Sequence, residues 1–225
     1  MESDLLAGLP RPCTVMTVFP HPDDESFATG GLMALLARQP SVRRVSLCLT
    51  KGGKSQALLK VGLPESREPV IREQEYRTST TILEIDQPVI WGYEDQGLPL
   101  LPEGELRGRI AGAIREHQAD VVVTYGPDGI TGHMDHKACH QATIEAACET
   151  GVKRLYLVTA PLWVGRVMLG QKLLPATHAV DIRSVYGVKI LALKAHASQM
   201  LVSMQPMIWM RIMRLFGKEY FHRYI

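Results

Sequence analysis

Cysteine is scarce in this chain, and no two cysteines form a Cys-x-x-Cys pair. The four thiols are Cys13, Cys48, Cys139 and Cys148, and they are scattered along the sequence. Two of them fall in apolar runs that have the character of strands, where a thiol behaves as a small apolar residue. We therefore expect reduced, buried cysteines.

Long apolar segments and clusters of like charge are also missing. No uninterrupted apolar stretch approaches the roughly 20 residues that cross a bilayer. The first twelve residues lack the basic and apolar regions of a signal peptide. The formal net charge is +2, and no run of Lys or Arg suits nucleic acid. We expect a soluble cytoplasmic protein that neither inserts stably into membranes nor binds nucleic acid.

Phosphate-binding motifs are absent as well. Residues 50–55 (TKGGKS) look like a phosphate loop, but a Walker motif needs glycine at the position of Cys48. The turn after the first apolar run lacks G-x-G-x-x-G and has carboxylates where a pyrophosphate would lie. A nucleotide-binding α/β module is therefore kept as an alternative that electrostatics disfavours.

Apolar runs alternate along the chain with segments of helical periodicity. Strand-like runs occupy residues 13–19, 43–49, 88–92, 120–125, 154–158 and 178–182. The run Val121-Val122-Val123 does not alternate with polar residues, which is typical of a strand buried on both faces. With 225 residues and 46% apolar composition, the chain can bury one large core. We predict a single α/β domain over residues 1–225, with a three-layer, mostly parallel, twisted, Rossmann-like sheet and helices on both faces.

An imidazole and three carboxylates follow the first predicted strand directly, in the sequence His21-Pro22-Asp23-Asp24-Glu25. Two prolines exclude a helix through this stretch, so the groups should lie on a loop at the end of the strand. Open α/β sheets bind ligands there. A helix is expected from near Ser26. These side chains suit metal ligation, general-base catalysis or simple capping of the next helix.

A second ionisable cluster follows the fourth predicted strand. His133, His136 and His140 fall within eight residues, three and four positions apart. On a helix beginning near Gly132, this spacing places the imidazoles on one face. The alternative is a solvated helix face.

Together the two motifs resemble the paired signature of the PIG-L/LmbE-like zinc-dependent N-deacetylases. The residues that carry the resemblance are His21-Pro22-Asp23-Asp24-Glu25 and Gly132-His133-Met134-Asp135-His136. Residues 50–53, 72–75, 93–98 and 196–199 resemble later blocks of that family in the same order, so the resemblance spans almost the whole chain. It implies a hydrolase that removes the acetyl group from an N-acetylglucosaminyl compound or a related small conjugate.

The resemblance also implies a divalent metal, zinc or another ion, at the C-terminal ends of the strands. His21, Asp24 and His136 are the expected ligands, and they leave a coordination position for water. His140 is not expected to bind metal. A metal-binding protein without turnover is the remaining alternative from another class.

Roles in catalysis are implied for further residues. Asp23 is expected to act as the general base towards the metal-bound water. Protonated His133 is expected to stabilise the oxyanion, with Asp135 raising the pKa of that imidazole. The expected substrate contacts are Arg72, Asp95 and His196.

One position departs from the family pattern. Some members carry tyrosine two residues before the first histidine of the second motif, and this chain has Thr131 there. A threonine hydroxyl is too short and too weakly acidic to replace a phenol. Either His133 carries more of the oxyanion stabilisation, or Tyr93 or Tyr125 reaches into the site.

The segment from Met200 to Phe216 contains five methionines, with basic residues between them. Flexible thioethers fill irregular gaps, so we favour core packing or a homo-oligomer interface for this segment. The alternative is an amphipathic helix on a membrane surface.

Overall fold

The computed structural model describes residues 4–55, 59, 62, 64–200 and 217–225. The strands are β1 (Cys13–Phe19), β2 (Val42–Thr50), β3 (Gln87–Tyr93), β4 (Val121–Tyr125), β5 (Arg154–Thr159), β6 (His178–Asp181) and β7 (Lys218–Arg223). The helices are α1 (Asp24–Leu36), α2 (Glu68–Ile82), α3 (Glu105–His117), α4 (Gly129–Gly132), α5 (Met134–Thr150), α6 (Leu162–Val164), α7 (Tyr186–Ala195) and α8 (Ala197–Met200).

All seven strands form one sheet in the order β3-β2-β1-β4-β5-β7-β6. Strands β1 to β5 are parallel, and β7 runs antiparallel to its neighbours β5 and β6. After β1 the chain adds β2 and β3 on one side and then β4 and β5 on the other. The strand order therefore reverses between β1 and β4, which is where open α/β sheets bind ligands. Both ionisable motifs follow these two strands.

The sheet is buried on both faces. In β1, Val15 and Phe19 belong to the apolar cluster on the side of α1, whereas Met16 and Val18 belong to the cluster on the side of α3 and α5. Alternate side chains of a strand point to opposite faces, so one apolar strand serves both clusters. Helices α1, α2 and α7 pack together on one side, and α3 and α5 pack together on the other. The predicted three-layer, mostly parallel fold is confirmed.

The two helices that follow the ionisable motifs begin at other residues than predicted. Both differences change where predicted site residues lie relative to the helix start. Helix α1 begins at Asp24 rather than near Ser26, so its first turn contains two carboxylates. The positive end of the helix dipole favours negative charge there. Helix α5 begins at Met134 rather than near Gly132, and His133 is its N-cap. The prediction that His133 and His136 share a helix face is wrong, because His133 has extended rather than helical backbone angles.

The C-terminal part also differs from its prediction. Two helices precede the methionine-rich segment, and His196 separates α7 from α8 with φ −81° and ψ 56°. Strand β7 was not predicted. Most of the methionine-rich segment, residues 201–216, lies outside the described residues, so core packing or an oligomer interface there stays a prediction. None of the helices in the described ranges is both long and apolar enough to span a membrane.

Candidate active site

Three side chains from two distant segments meet beyond the ends of β1 and β4. Nδ1 of His21 lies 3.3 Å from Nε2 of His136. Oδ2 of Asp24 lies 3.6 Å from Nδ1 of His21, and Oδ1 lies 3.6 Å from Nε2 of His136. Ligand atoms bonded to zinc at about 2.0–2.1 Å in a tetrahedron are about 3.3 Å apart. The spacing of the two histidine nitrogens therefore fits a small divalent ion, and Asp24 places one of its two oxygens beside each nitrogen.

The hydrogen bonds of the two histidines leave the right nitrogen atoms available. Nδ1 of His136 lies 2.9 Å from the Gly129 carbonyl oxygen and donates to it, so Nε2 keeps its lone pair. Nε2 of His21 lies 3.1 Å from carboxylate oxygens of Asp95 and Asp135, which holds a proton there, so Nδ1 is the nitrogen that a metal ion would take in place of a second proton. Carbonyl and carboxylate partners of this kind fix the orientation of metal-binding imidazoles.

The electrostatic surroundings also favour a cation. Burial alone lowers the pKa of His21, but hydrogen bonds with Asp135, Asp24 and Asp95 raise it well above the usual 6.5. Burial opposes ionisation of Asp24, yet His136, His21 and the Tyr125 hydroxyl together lower its pKa below the ordinary value. A pocket in which carboxylates attract a proton this strongly also attracts a metal cation.

Asp95 and Asp135 are close enough to His21 to form a second candidate group of ligands. Their ligand atoms and that of His21 lie within 4.8 Å of one another, as do those of His21, His133 and His136. However, Asp135 accepts the N–H of Gln96 at 2.7 Å, and Asp95 accepts that of Lys54 at 2.8 Å. The loop after β3 thus holds the Asp135 carboxylate of α5, and the loop after β2 holds that of Asp95, so that both are fixed beside Nε2 of His21.

His133 is half-buried beside the two other histidine rings, with ring centroids 4.8 Å from His21 and 5.1 Å from His136. Its Nδ1 accepts the backbone N–H of Asp135 at 3.1 Å. An accepting Nδ1 belongs to a neutral imidazole whose Nε2 carries the proton. Burial and the neighbouring His21 lower the pKa of His133, although Asp135 opposes them. These contacts favour a neutral His133 over the protonated one that the sequence predicted, because the Asp135 carboxylate faces His21 and the loop after β3 instead.

Asp23 stands beside the three candidate ligands with its carboxylate only partly buried. It is the N-cap of α1, with φ 114° and ψ −30°, a backbone conformation that is strained for any residue except glycine. One carboxylate oxygen accepts a hydrogen bond from Arg72 at 3.1 Å. Burial raises the pKa of Asp23 to about 6, with Arg72 lowering it and Asp24 raising it. A carboxylate with this pKa suits proton transfer near neutral pH.

Two of the predicted substrate contacts are buried behind the first motif. Arg72 is 3% exposed and donates to the Pro22 and Gly52 carbonyls as well as to Asp23. His196 is 1% exposed, and its Nε2 lies 2.8 Å from Oε1 of Glu25. These contacts support the motif from behind and correct the expectation that His196 contacts substrate. Asp95, by contrast, lines the neighbouring cleft.

Tyr125, the last residue of β4, is tied to the metal candidates. Its hydroxyl donates to Oδ1 of Asp24 at 2.6 Å, and its ring stacks on His136 at 4.4 Å. That hydrogen bond makes Tyr125 a partner of Asp24, a contact that the sequence analysis did not foresee. The position of Tyr125 at the end of the strand before the second motif was a usable signal. His140 donates from Nδ1 to the Tyr125 carbonyl at 2.8 Å and so points away from the donors.

Three segments around the site each contain one residue with a strained, positive φ. A carboxylate accepts the backbone N–H of each of these three residues. The strained residues have φ between +60° and +115°, and one of them, Ile130, is β-branched and therefore particularly unfavourable in this region. The pairs are Asp23 with Glu25 at 3.0 Å, Gln96 with Asp135 at 2.7 Å, and Ile130 with Asp128 at 2.6 Å. Strain of this kind persists where surrounding contacts over-determine the backbone, and it clusters at functional sites.

A cleft of about 460 Å³ with charged residues along its walls adjoins Asp95. Its walls come from the loop after β2, the start of α2 and the end of β3. Lys51 pairs with Glu73 at 2.6 Å, and Lys54 pairs with Glu94 at 2.6 Å. Basic and acidic side chains therefore both line the cleft, which is large enough for a small hydrophilic molecule.

Fold and donor set define an α/β protein with a candidate metal-dependent active site at the switch point of its sheet. The family model described as "PIG-L: GlcNAc-PI de-N-acetylase" matches residues 16–147, which is more than half of the chain. The chain belongs to the PIG-L family, as the two motifs indicated.

Individual relatives agree with this assignment. A Bacillus anthracis protein named "Probable N-acetyl-alpha-D-glucosaminyl L-malate deacetylase 2" is 38% identical over 136 residues, covering 59% of this chain and 58% of that protein. A Mycobacteroides abscessus 1D-myo-inositol 2-acetamido-2-deoxy-alpha-D-glucopyranoside deacetylase is 29% identical over 84% of this chain and 82% of its own length. The N,N'-diacetylchitobiose deacetylase from Pyrococcus horikoshii superposes with TM-score 0.77 and 19% identity, over 97% of this chain and 86% of that one. At that identity the likeness concerns the fold.

Proposed function

We propose that this protein is a metal-dependent hydrolase that removes the N-acetyl group from a small N-acetylglucosaminyl conjugate. The observation that carries the proposal is the convergence of His21, Asp24 and His136: the two histidine nitrogens lie 3.3 Å apart, and each lies 3.6 Å from a different oxygen of Asp24. A carboxylate with a pKa of about 6, that of Asp23, stands directly beside them. Ligands together with a separate proton acceptor favour turnover over a metal site that only binds.

The donor set fits zinc, although another divalent ion with similar bond lengths would also be accommodated. When bound, such an ion polarises a carbonyl oxygen and lowers the pKa of water to about 7. Tyr125 and the His21 backbone N–H each donate to one oxygen of Asp24, at 2.6 and 2.9 Å. These bonds keep the carboxylate ionised and fixed in orientation.

Proton transfer is assigned to Asp23. In its ionised form, this carboxylate takes a proton from the attacking water and then returns it to the departing amine. The Arg72 guanidinium holds one carboxylate oxygen at 3.1 Å, which leaves the other oxygen for the proton. The exchange regenerates the ionised carboxylate at the end of each turnover.

Stabilisation of the oxyanion is assigned to the Nε2–H group of neutral His133. Because its Nδ1 accepts a backbone N–H, the proton on Nε2 faces away from the start of α5. A hydrogen bond from this donor strengthens as negative charge develops on the acetyl oxygen. Thr131 is exposed, and its hydroxyl lies 3.5 Å from the Gly129 carbonyl, so it is given no part in this step.

The substrate is proposed as an amino-sugar conjugate for two reasons. The cleft beside Asp95 has charged residues of both signs along its walls and is large enough for a small molecule. The two curated relatives are named for substrates that share an acetylated glucosamine, with L-malate in one case and myo-inositol in the other. The shared part is carried over to this protein, and the group attached to the sugar is left open.

The test is to measure metal content and acetate release on one preparation. Purified protein is stripped with a chelator, reloaded with zinc, manganese or cobalt, and incubated with N-acetylglucosamine and with its malate and inositol conjugates. We expect about one metal ion per chain and acetate release that returns with the metal. Full metal occupancy without acetate release from any of these substrates would instead support a metal-binding protein without turnover.

A further inference from the structure

Glu25 lies in the first turn of α1 but does not face the metal candidates. It is 2% exposed. Oε2 accepts the backbone N–H of Asp23 at 3.0 Å. Oε1 accepts hydrogen bonds from the hydroxyls of Ser26 and Ser79 at 2.8 and 2.6 Å, and from Nε2 of His196 at 2.8 Å. A buried carboxylate with four donors is fixed in place from several directions.

The contact with Asp23 is one half of a common arrangement at helix starts. In a capping box, an acidic side chain of the first turn accepts the N–H of the N-cap residue, and the N-cap side chain accepts an N–H of the first turn. The acidic residue of a capping box is the third of its helix. Glu25 is the second residue of α1 and makes the equivalent of the first bond from there. Within the described residues, the second is missing, because the Asp23 carboxylate makes no capping hydrogen bond.

Aspartate is among the residues that most often cap a helix with their own side chain. An ordinary Asp23 would therefore turn its carboxylate towards the N–H groups of α1. Its φ of 114° prevents this by rotating the side chain away from the helix, while the Asp23 carbonyl still accepts the N–H of Phe27 at 2.9 Å. The strained conformation releases the carboxylate for other partners.

His196 belongs to this arrangement through Glu25. It occupies the break between α7 and α8, and the break directs its ring into the interior towards Oε1 of Glu25. Helix α8 is itself held by Glu75, which accepts both the N–H and the hydroxyl of Ser198 at 2.7 Å. The position of His196 is thus set by α2 and α8 rather than by the metal candidates.

We propose that Glu25 and His196 are positioning residues that hold Asp23 in its strained conformation and keep its carboxylate from capping α1. The inference rests on the proposed function of Asp23 as the proton acceptor. Glu25 and His196 are 2% and 1% exposed, and their side-chain hydrogen bonds within the described residues go to Asp23, to the two serines and to each other, so the effect of each on the reaction passes through Asp23.

The first measurement compares two substitutions of His196. In His196→Ala, Oε1 of Glu25 loses one donor and the hold on Asp23 weakens, so we expect kcat to fall roughly 10- to 10²-fold, the size of effect that about 1 Å of misplacement produces. KM and metal content should stay close to wild type. In His196→Gln the amide N–H replaces Nε2–H, and we expect most of kcat to return. A matched control is His178→Gln, which alters another buried imidazole on β6 and should leave kcat unchanged.

The second measurement is a double-mutant cycle with Asp23→Asn, run at enzyme concentrations high enough to follow the slow variant. If His196 acts through Asp23, adding His196→Ala to Asp23→Asn should lower kcat no further. A fully additive loss, an unchanged kcat in His196→Ala, or a loss of metal in parallel with kcat would each overturn the proposal. Wild-type protein that binds metal but releases no acetate would instead contradict the proposed function, so the two failures are distinguishable.

Discussion

Nδ1 of His21 and Nε2 of His136 lie 3.3 Å apart although 115 positions separate the two residues in the chain. Each imidazole uses its other nitrogen as a hydrogen-bond donor, His136 to the Gly129 carbonyl and His21 to carboxylates. Nδ1 of His21 and Nε2 of His136 consequently face the same small space, and the Asp24 carboxylate lies beside both nitrogens. This relationship leads to the first prediction.

Replacing any one of the three donors should abolish metal binding. We expect His21→Ala, Asp24→Ala and His136→Ala each to lose most of the bound metal and all measurable turnover, because three protein ligands are the minimum typical of a catalytic zinc site. Metal content is measured by elemental analysis, and turnover by acetate release. His140→Ala is the control and should keep both, since its Nδ1 bonds the Tyr125 carbonyl. A dispensable His136 with an essential His140 would refute the assignment.

Replacing the proposed proton acceptor should separate catalysis from metal binding. Asp23→Asn should retain near-normal metal content and lower kcat roughly 10²- to 10⁴-fold, which is the usual contribution of a positioned proton-transfer group. Loss of the metal in this variant would make Asp23 a ligand rather than a base.

Wild-type activity should depend on pH through the same carboxylate. Asp23 must be ionised to accept a proton, so kcat/KM should fall as the pH drops through its pKa. Burial raises that pKa to about 6, and a neighbouring metal cation would lower it again, which places the acidic limb at or below that value. The limb should vanish from the pH profile of Asp23→Asn. A limb that persists unchanged in this variant would assign it to another group.

Removing the proposed oxyanion donor should affect kcat more than KM. His133→Ala is expected to lower kcat roughly 10²- to 10³-fold, because the Nε2–H bond strengthens only as charge develops on the acetyl oxygen. Steady-state kinetics test this, with Thr131→Ala as a control that should change little. Because neutral His133 is the donor, a basic limb of the pH profile should not depend on this residue. Unchanged kcat in His133→Ala would direct attention to Tyr93, since the Tyr125 hydroxyl donates to Asp24.

A buried ion pair behind α1 should matter for stability. Lys189 is fully buried, and its Nζ lies 2.5 Å from Oε1 of Glu219. The same carboxylate accepts two backbone N–H groups at 2.7 Å, that of Gly31 on Oε1 and that of Leu32 on Oε2. Glu219→Ala leaves the lysine charge and two backbone donors without this partner. We expect a loss of about 3–5 kcal/mol in the free energy of unfolding, measured by urea denaturation.

The matched control for that substitution is Glu149→Ala. Glu149 pairs with Arg115 at 2.7 Å, but both side chains are exposed. Solvent screens exposed ion pairs, so this variant should unfold almost like wild type. Equal losses in the two variants would show that burial does not set the strength of the Lys189 pair.

The sequence by itself determined the local elements and the edge of the sheet at which the site lies. The first strand was predicted with its observed bounds, because an apolar run that ends in Pro20 and Pro22 can continue neither as strand nor as helix. The parallel α/β pattern then required the loops after β1 and β4 to meet. The donor set of His21, Asp24 and His136 could be proposed from these two facts and the family motifs, and the structure brings the three residues together.

Only the tertiary structure decided what each polar side chain does within the site. His133 and Asp135 stand two residues apart, yet the helix start between them turns the carboxylate towards His21 and the loop after β3. His196 meets Glu25 from 171 positions away, through a helix break that no periodicity indicated. Strand β7 lies between β5 and β6 and pairs with both. Its own short sequence does not reveal that position. Spacing along a chain fixes which residues lie near each other locally, whereas the direction of a side chain depends on backbone angles and on partners that only folding brings close.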